Sequence, residues 1–254
     1  SSACNTDIFT KDSNNKTNTA INIDQIKPFL LYTGASDPRK NVRRLLEAYS
    51  KLPQELYDYN LVLAGKLLIP EIELIDSWIT AYNISPSKVI KLGYVSDNDL
   101  AELYRNCSLF IFPSLHEGFG LPILEAMRCG ANVISSNTTS MPEIICLKDA
   151  MFDPKDSSEI KKLIVRSLTD SDFISRLKDN SSIQSQKFSW KKCAITAINS
   201  CQSIYDDYNK KCSKISKTKE INDLSNYHYV NRTLSQIHSS LKIDDSLLSK
   251  IGAS

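Results

Sequence analysis

Glycine is scarce in this chain, with seven residues in 254. Also lacking are a CxxC pair, an excess of one charge, and any apolar run near the roughly 18 residues of a membrane span. Each absence excludes something. Lysine and arginine number 31 against 29 acids, a net charge of +2, so there is no electrostatic case for nucleic acid or an anionic membrane as the main partner. Without CxxC spacing, the seven cysteines at 4, 107, 129, 146, 193, 201 and 212 do not read as a zinc site or a disulfide framework. The placement of Cys107 and Cys146 beside apolar runs favours buried free thiols in a reducing, cytoplasmic setting. No signal-peptide pattern opens the sequence. The length allows one domain of ordinary to large size plus appendages.

What is present is alternation. Residues 1–27 are polar, and the stretch KDSNNKTNTAINID has no apolar period, so a linker or mobile hinge arm is expected there. Strand-like runs then recur at 29–32, 60–64, 88–92, 108–112 and 132–135, separated by helix-like segments near 40–51, 71–81, 97–106 and 122–129. Strands alternating with helices give βαβ units. The fold class is therefore α/β, a Rossmann-like parallel sheet with helices on both faces. Residues 28–210 are expected to form this domain. Residues 211–254 read as a polar linker and then a helical extension, with Val230, Leu234, Ile237, Leu241 and Leu248 at near-helical spacing. That extension either folds back onto the sheet or opens a further domain.

The few glycines fall in an informative pattern. Gly34, Gly65 and Gly93 follow the first three strands, and Gly118 and Gly120 follow the fourth. In a parallel sheet these positions share one rim, outside the carboxyl ends of the strands, where open α/β sheets bind ligands. Strand-to-helix turns need glycine for its backbone freedom anyway, which accounts for some of them. It accounts less well for helix-to-strand turns holding only Gly130.

Two of the rim loops carry chemistry. Ser108 to Gly130, SLFIFPSLHEGFGLPILEAMRCG, reads as strand, glycine loop and helix, with Pro122 in the first helical turn. Loop amides and the unpaired N–H groups of the new helix would converge there on an anion. Glu117 and Glu125 bracket the spot, and two acids beside an anion site make sense if the ligand also offers hydroxyls. After the first strand, Asp37 as N-cap and Pro38 as first residue would open the next helix and put Arg39 and Lys40 in its first turn. Cations there oppose the helix dipole, a penalty of about 0.3–1 kcal/mol each. The charges are thus expected to serve a ligand, Arg39 by forking onto two phosphate oxygens and Lys40 as a point charge. The competing reading is that both face water.

Gly34…Pro38-Arg39-Lys40-Asn41, Leu63-Ala64-Gly65, Gly93-Tyr94-Val95-Ser96 and Phe112 to Pro122, followed by Glu125-Ala126, together resemble the donor-binding half of a family 4 (group 1) glycosyltransferase of the GT-B fold. The Glu-x7-Glu pattern of that family is met by Glu117 and Glu125. The likeness spans about residues 28–210 and includes a Phe188-Ser189-Trp190 step into a last helix, similar to the family's crossover helix. It implies that Glu117 meets the donor sugar's hydroxyls and the charge near its anomeric carbon. The backbone amides of Gly118, Phe119, Gly120 and Leu121 would hold sugar and diphosphate, and Glu125 the ribose hydroxyls. Arg39 and Lys40, beside Gly34 and Gly65, would neutralise the diphosphate, and Tyr94 and Val95 would lie against the base. The reaction implied is a retaining hexosyl transfer from a nucleotide diphosphate sugar, with no cofactor and no metal.

The sequence departs from that family in two places. Ala35 stands where many members carry Arg, and the N-terminal half that recognises the glycan or lipid-linked acceptor is missing. The expectation is a donor domain that binds nucleotide but turns over poorly alone. The motif wording resembles bacterial mannosyltransferases of surface-polysaccharide and O-antigen assembly, so GDP-mannose is the expected donor, and peripheral association of a longer protein with the inner face of the plasma membrane is implied. Two alternatives stay open: another GT-B enzyme such as a nucleotide-sugar epimerase, or a non-catalytic scaffold. A dinucleotide oxidoreductase is disfavoured, since no GxGxxG follows the first strand. His116, Glu143, Trp78 and Trp190 read as local or packing residues, and His228 and His238 have no partners at metal-ligand spacing.

Overall fold

Two segments of the sequence are apolar on both faces and can be covered only by layers above and below. They are β1 (Phe29–Thr33, FLLYT) and β4 (Leu109–Phe112, LFIF), and every residue of both is buried. Near-continuous apolar strands of this kind suit a parallel sheet wrapped by helices. The computed structural model describes residues 3–12, 20–34 and 37–215, with side chains as far as residue 210. It adds β2 (Asn60–Ala64), β3 (Val89–Gly93), β5 (Val133–Ser136) and β6 (Met151–Phe152). All six strands pair in parallel, in the order β3-β2-β1-β4-β5-β6. The connection leaves β1 towards β2 and returns across the sheet to β4, so the chain reverses direction between β1 and β4. Fully buried Phe29, Phe110, Phe112 and Leu30 lie at this seam, each contributing about 1.5–3 kcal/mol of apolar burial.

The helices are α1 (Ile23–Ile26), α2 (Val42–Ser50), α3 (Ile69–Ala81), α4 (Asp97–Asn106), α5 (Leu121–Arg128), α6 (Met141–Ile145), α7 (Ser157–Thr169), α8 (Ser171–Ser185) and α9 (Trp190–Ile215). Against the sheet, α2 packs with α3 and α7, while α5 packs with α4, α6 and α8. Several ends follow from single residues. Ser96 caps α4 by accepting from the Asp99 N–H at 3.2 Å, and the Glu71 carboxylate accepts from the Leu68 N–H at 2.6 Å, starting α3 two residues ahead of the expected 71.

The structure corrects three expectations. The arm is not free of packing: Ala3, Cys4 and Phe9 are buried, the Phe9 ring tilts against Tyr104 at 6.2 Å, and Arg105 donates to the Thr10 carbonyl at 2.8 Å. Isolated apolar anchors pack in this way, Phe9 beside α4 and Cys4 near Glu125 and Arg128 of α5, without needing a helical or strand period. Cys146 is exposed, because the short α6 ends on it with a left-handed backbone (φ 49°) that turns the side chain outward. Lastly, the helix after β1 begins at Val42, for reasons taken up with the site. The chain divides into two units, Ser1–Ile195 and Thr196–Ser254. The helix anticipated at 230–248, His228, His238 and the departure at Ala35 lie outside the described residues.

Candidate functional site

Past the ends of β1 and β2 the sheet's hydrogen bonding continues through glycines. The Gly34 N–H donates to the Ala64 carbonyl at 2.9 Å, and the Gly65 N–H to the Gly93 carbonyl at 2.8 Å. This draws Gly34, Gly65 and Gly93 into one rim. Beyond it stands Tyr94, 78% exposed at the edge strand, with Val95 partly buried behind it.

The turn after β1 differs from its expected form. Asp37 does cap it, accepting from the Arg39 N–H at 2.8 Å, but what it caps is a single 3-10 turn, Pro38–Lys40. Asn41 then adopts a left-handed conformation (φ 60°) and breaks the run before α2 starts. Arg39 and Lys40 therefore sit outside that helix, and the dipole penalty expected for them does not arise. Asn41 is the organiser. It is 4% exposed, and its amide donates to the Pro113 carbonyl at 2.9 Å and the Pro154 carbonyl at 2.7 Å. With the Leu115 N–H bonded to the Arg39 carbonyl at 2.7 Å, the cationic turn is stapled to the loop after β4.

The two cations have separate fates. The Arg39 guanidinium forks back onto Asp37, through Nε at 3.1 Å and Nη2 at 2.8 Å, and stays largely exposed. Its hydrogen bonds hold the Asp37 carboxyl down to about 2. Lys40 reaches across instead, 2.7 Å from the Glu117 carboxylate, with both side chains mostly shielded from water and the ammonium 5.5 Å from the Phe112 ring centre.

A row of hydroxyls from the segment Ser136 to Ser140 holds the Glu117 loop. Ser136 donates to the Ser114 carbonyl, Thr138 to the Leu115 carbonyl at 3.1 Å, and Ser140 to the carbonyls of Glu117 and Phe119 at 3.2 and 2.8 Å. Thr139 accepts from the Glu117 N–H at 3.2 Å. These bonds occupy the carbonyls of Ser114, Leu115, Glu117 and Phe119. The N–H groups of Gly118, Phe119, Gly120 and Leu121 find no acceptor among the described residues, and four successive free donors at the start of α5 form a ready anion and hydroxyl site. The Phe119 side chain is engaged edge-on with Phe188 at 5.7 Å, which leaves its backbone for that role. Leu121 is the first residue of α5, so Pro122 comes second in the helix rather than first.

Glu125, one turn into α5, is partly buried and accepts from the Tyr104 hydroxyl at 3.4 Å, while Tyr104 lies 3.4 Å from Thr33, the last residue of β1. Both acids thus converge on the end of β1, Glu117 through Lys40 and Glu125 through Tyr104. Burial, seconded by Asp97 and opposed by the Tyr104 hydrogen bond, pushes the Glu125 carboxyl up to about 7 from its ordinary 4.5. Between those values the folded protein holds a proton that the unfolded chain has released, so stability is full below about pH 4.5 and falls as pH rises to about 7. Glu125→Gln is expected to remove this slope and to raise stability above pH 7 by about 1–3 kcal/mol. Melting curves at pH 5 and pH 8 check it; equal slopes in the two proteins would contradict it.

Sequence reasoning singled out Gly34, Arg39, Lys40, Gly65, Tyr94, Val95, Glu117, Gly118, Phe119, Gly120, Leu121 and Glu125, and the structure places the first ten on this rim or in its loops and Leu121 and Glu125 in the first two turns of α5. Both cations are paired with an acid: Arg39 with Asp37 of its own turn, and Lys40 with Glu117 of the facing loop. Overlooked were Asn41, Tyr104 and the hydroxyl row; only the run Ser135 to Ser140, SSNTTS, gave a sequence signal for the last of these.

A doubly wound parallel sheet thus gathers free amides, a lysine and two carboxylates at its reversal point, the crevice where open α/β sheets bind ligands. The chain belongs to the group 1 glycosyl transferases, whose family model matches residues 13–184. It is 48% identical over 171 residues to a serotype-specific mannosyltransferase, WbdA, of Escherichia coli, covering 67% of this chain and 21% of that protein. Against the O-antigen chain mannosyltransferase B of E. coli the identity is 39% over 173 residues, 67% of this chain and 45% of the relative. The chain thus spans between a fifth and a half of these two relatives. Among solved structures, the fold matches the sucrose-phosphate synthase of Thermosynechococcus elongatus with a TM-score of 0.68 at 24% identity, over 81% of this chain and 52% of the other. It also matches the C-terminal domain of the group 1 family protein LpcC from Francisella tularensis, with a TM-score of 0.62 at 22% identity over 73% and 97% of the two chains. These confirm the expected GT-B family fold.

Proposed function

We propose that this chain is the donor-binding half of a retaining mannosyltransferase of O-antigen synthesis, with GDP-mannose as donor and a glycan or lipid-linked acceptor engaged together with a second half. The observation that carries the reading is the Lys40–Glu117 pair at 2.7 Å, set beside four unpaired amides. An ammonium and free N–H groups suit a leaving diphosphate, and fixed positive charge aimed at developing negative charge can be worth about 3 kcal/mol of barrier. The carboxylates suit the hydroxyls on either side of that diphosphate, Glu117 those of the sugar and Glu125 those of the ribose. Mannose is supported by the two E. coli relatives named for mannosyl transfer. Tyr94 offers an exposed ring at the rim for the base.

Binding to the folded state alone should raise stability by RT ln(1 + [L]/Kd), about 2.7 kcal/mol at a ligand concentration 100 times Kd. Thermal-shift titration is expected to show the largest rise with GDP-mannose and smaller ones with UDP- and ADP-sugars. A flat response to all three would overturn nucleotide-sugar binding, and a preference for a UDP-sugar would overturn the choice of donor.

A further inference from the structure

The turn that carries Lys40 also walls a second concavity. Asp37, Pro38, Arg43, Arg44, Leu74 and Trp78 line a groove of about 540 Å3 between the start of α2 and the start of α3, within the range of roughly 300–1,000 Å3 typical of small-molecule sites. None of the diphosphate-binding features faces it. Its chemistry differs from that of the crevice. The acids Asp37 and Glu71 in the lining match Arg43 and Arg44, so the formal charge cancels. Both carboxylates are already committed, Asp37 to Arg39 and Glu71 to the Leu68 N–H. Arg43 is exposed, spends only its Nε on the Tyr82 hydroxyl at 3.2 Å, and keeps its terminal nitrogens without a partner among the described residues. Pro70, Leu74, Leu115 and the partly buried Trp78 supply the apolar wall.

A phosphate or carboxylate ligand would face two acids here, and a purely apolar one would strand the guanidinium. A neutral sugar chain meets both conditions: its C–H face lies on an indole and its hydroxyl oxygens accept from Arg43. Through Pro38 and Leu115 the groove shares its wall with the donor crevice. We propose that it is a subsite for the neutral acceptor glycan, holding mannosyl residues behind the one that receives the transferred sugar. This rests on the glycosyltransferase reading, and it assigns part of acceptor recognition to the donor half itself.

The chain has two tryptophans, so Trp190→Phe makes Trp78 the sole indole reporter. Titration of that variant with α-linked mannotriose is expected to give a saturable fluorescence change, with saturation transfer to the sugar protons in NMR. Arg43→Ala is expected to weaken it about fivefold, the loss of one solvent-competed hydrogen bond, and Leu74→Arg to abolish it by filling the groove. The melting-temperature rise with GDP-mannose should be unchanged in both. No saturable change, equal affinity in all variants, or displacement of the trisaccharide by GDP-mannose would overturn the subsite. Saccharide binding that persists while no nucleotide sugar raises the melting temperature would instead sink the donor-domain reading and leave the groove a saccharide site of another kind.

Discussion

Lys40→Met is expected to weaken GDP and GDP-mannose binding roughly 10- to 150-fold, the equivalent of the 1.5–3 kcal/mol that a hydrogen bond between charged groups contributes, while guanosine binding stays unchanged. The loss has two sources. The diphosphate loses its ammonium partner, and Glu117, which is mostly shielded from water and 2.7 Å from that ammonium, is left as an uncompensated negative charge facing the same anion. Removing one partner of a shielded pair costs more than removing both. The double variant Lys40→Met with Glu117→Gln is therefore expected to bind GDP more tightly than the single one. Glu117→Gln alone frees the ammonium, so GDP should bind at least as well as before, whereas GDP-mannose should lose the contacts to its sugar. Calorimetric titration of the three variants with guanosine, GDP and GDP-mannose separates these effects. Equal losses for guanosine and GDP would contradict the role of Lys40, and a double variant that binds GDP no more tightly than Lys40→Met would contradict the pairing.

The same pair shows how far a sequence can be read. Strand-to-helix alternation, apolar runs such as LFIF and glycines behind four strands were enough to place the rim and its loops, because each is a local property of the backbone. The contact between Lys40 and Glu117 spans 77 positions, and no local rule pairs them. Asn41 was legible as part of a motif but not as its hinge, since a left-handed asparagine whose amide bonds two carbonyls 72 and 113 positions away is set by tertiary structure. Arg39 was expected at the phosphate; its nearest acid lies two residues back and reaches it first. β6 is two residues long, too short for any period to show. The arm looked unstructured because Ala3, Cys4 and Phe9 anchor it singly, and single anchors leave no pattern.

Two glycines of the rim should respond to alanine in opposite ways. At Gly65 the backbone has φ +150°, and an added Cβ would lie 2.3 Å from the Gly34 carbonyl oxygen and 2.7 Å from its carbon. Neither atom can rotate away, because both belong to the backbone that carries the pairing from β1 into β2. Gly65→Ala is therefore expected to cost about 3 kcal/mol or more, from strain and the shift of that backbone, and to lower the melting temperature by roughly 6–12 °C for a domain of this size. Gly118 is the converse case. A Cβ there meets nothing within 4 Å, so Gly118→Ala should change stability by no more than about 0.5 kcal/mol. That Cβ would project into open space beside Gly118, the first of the four residues with unpaired amides. If that space receives the donor, Gly118→Ala should fold like the parent and bind GDP-mannose more weakly, while a variant with unaltered affinity would show that the ligand's approach lies elsewhere. Melting curves with and without GDP-mannose on the two variants decide both questions, one through the midpoint of the free protein and the other through the ligand-induced rise.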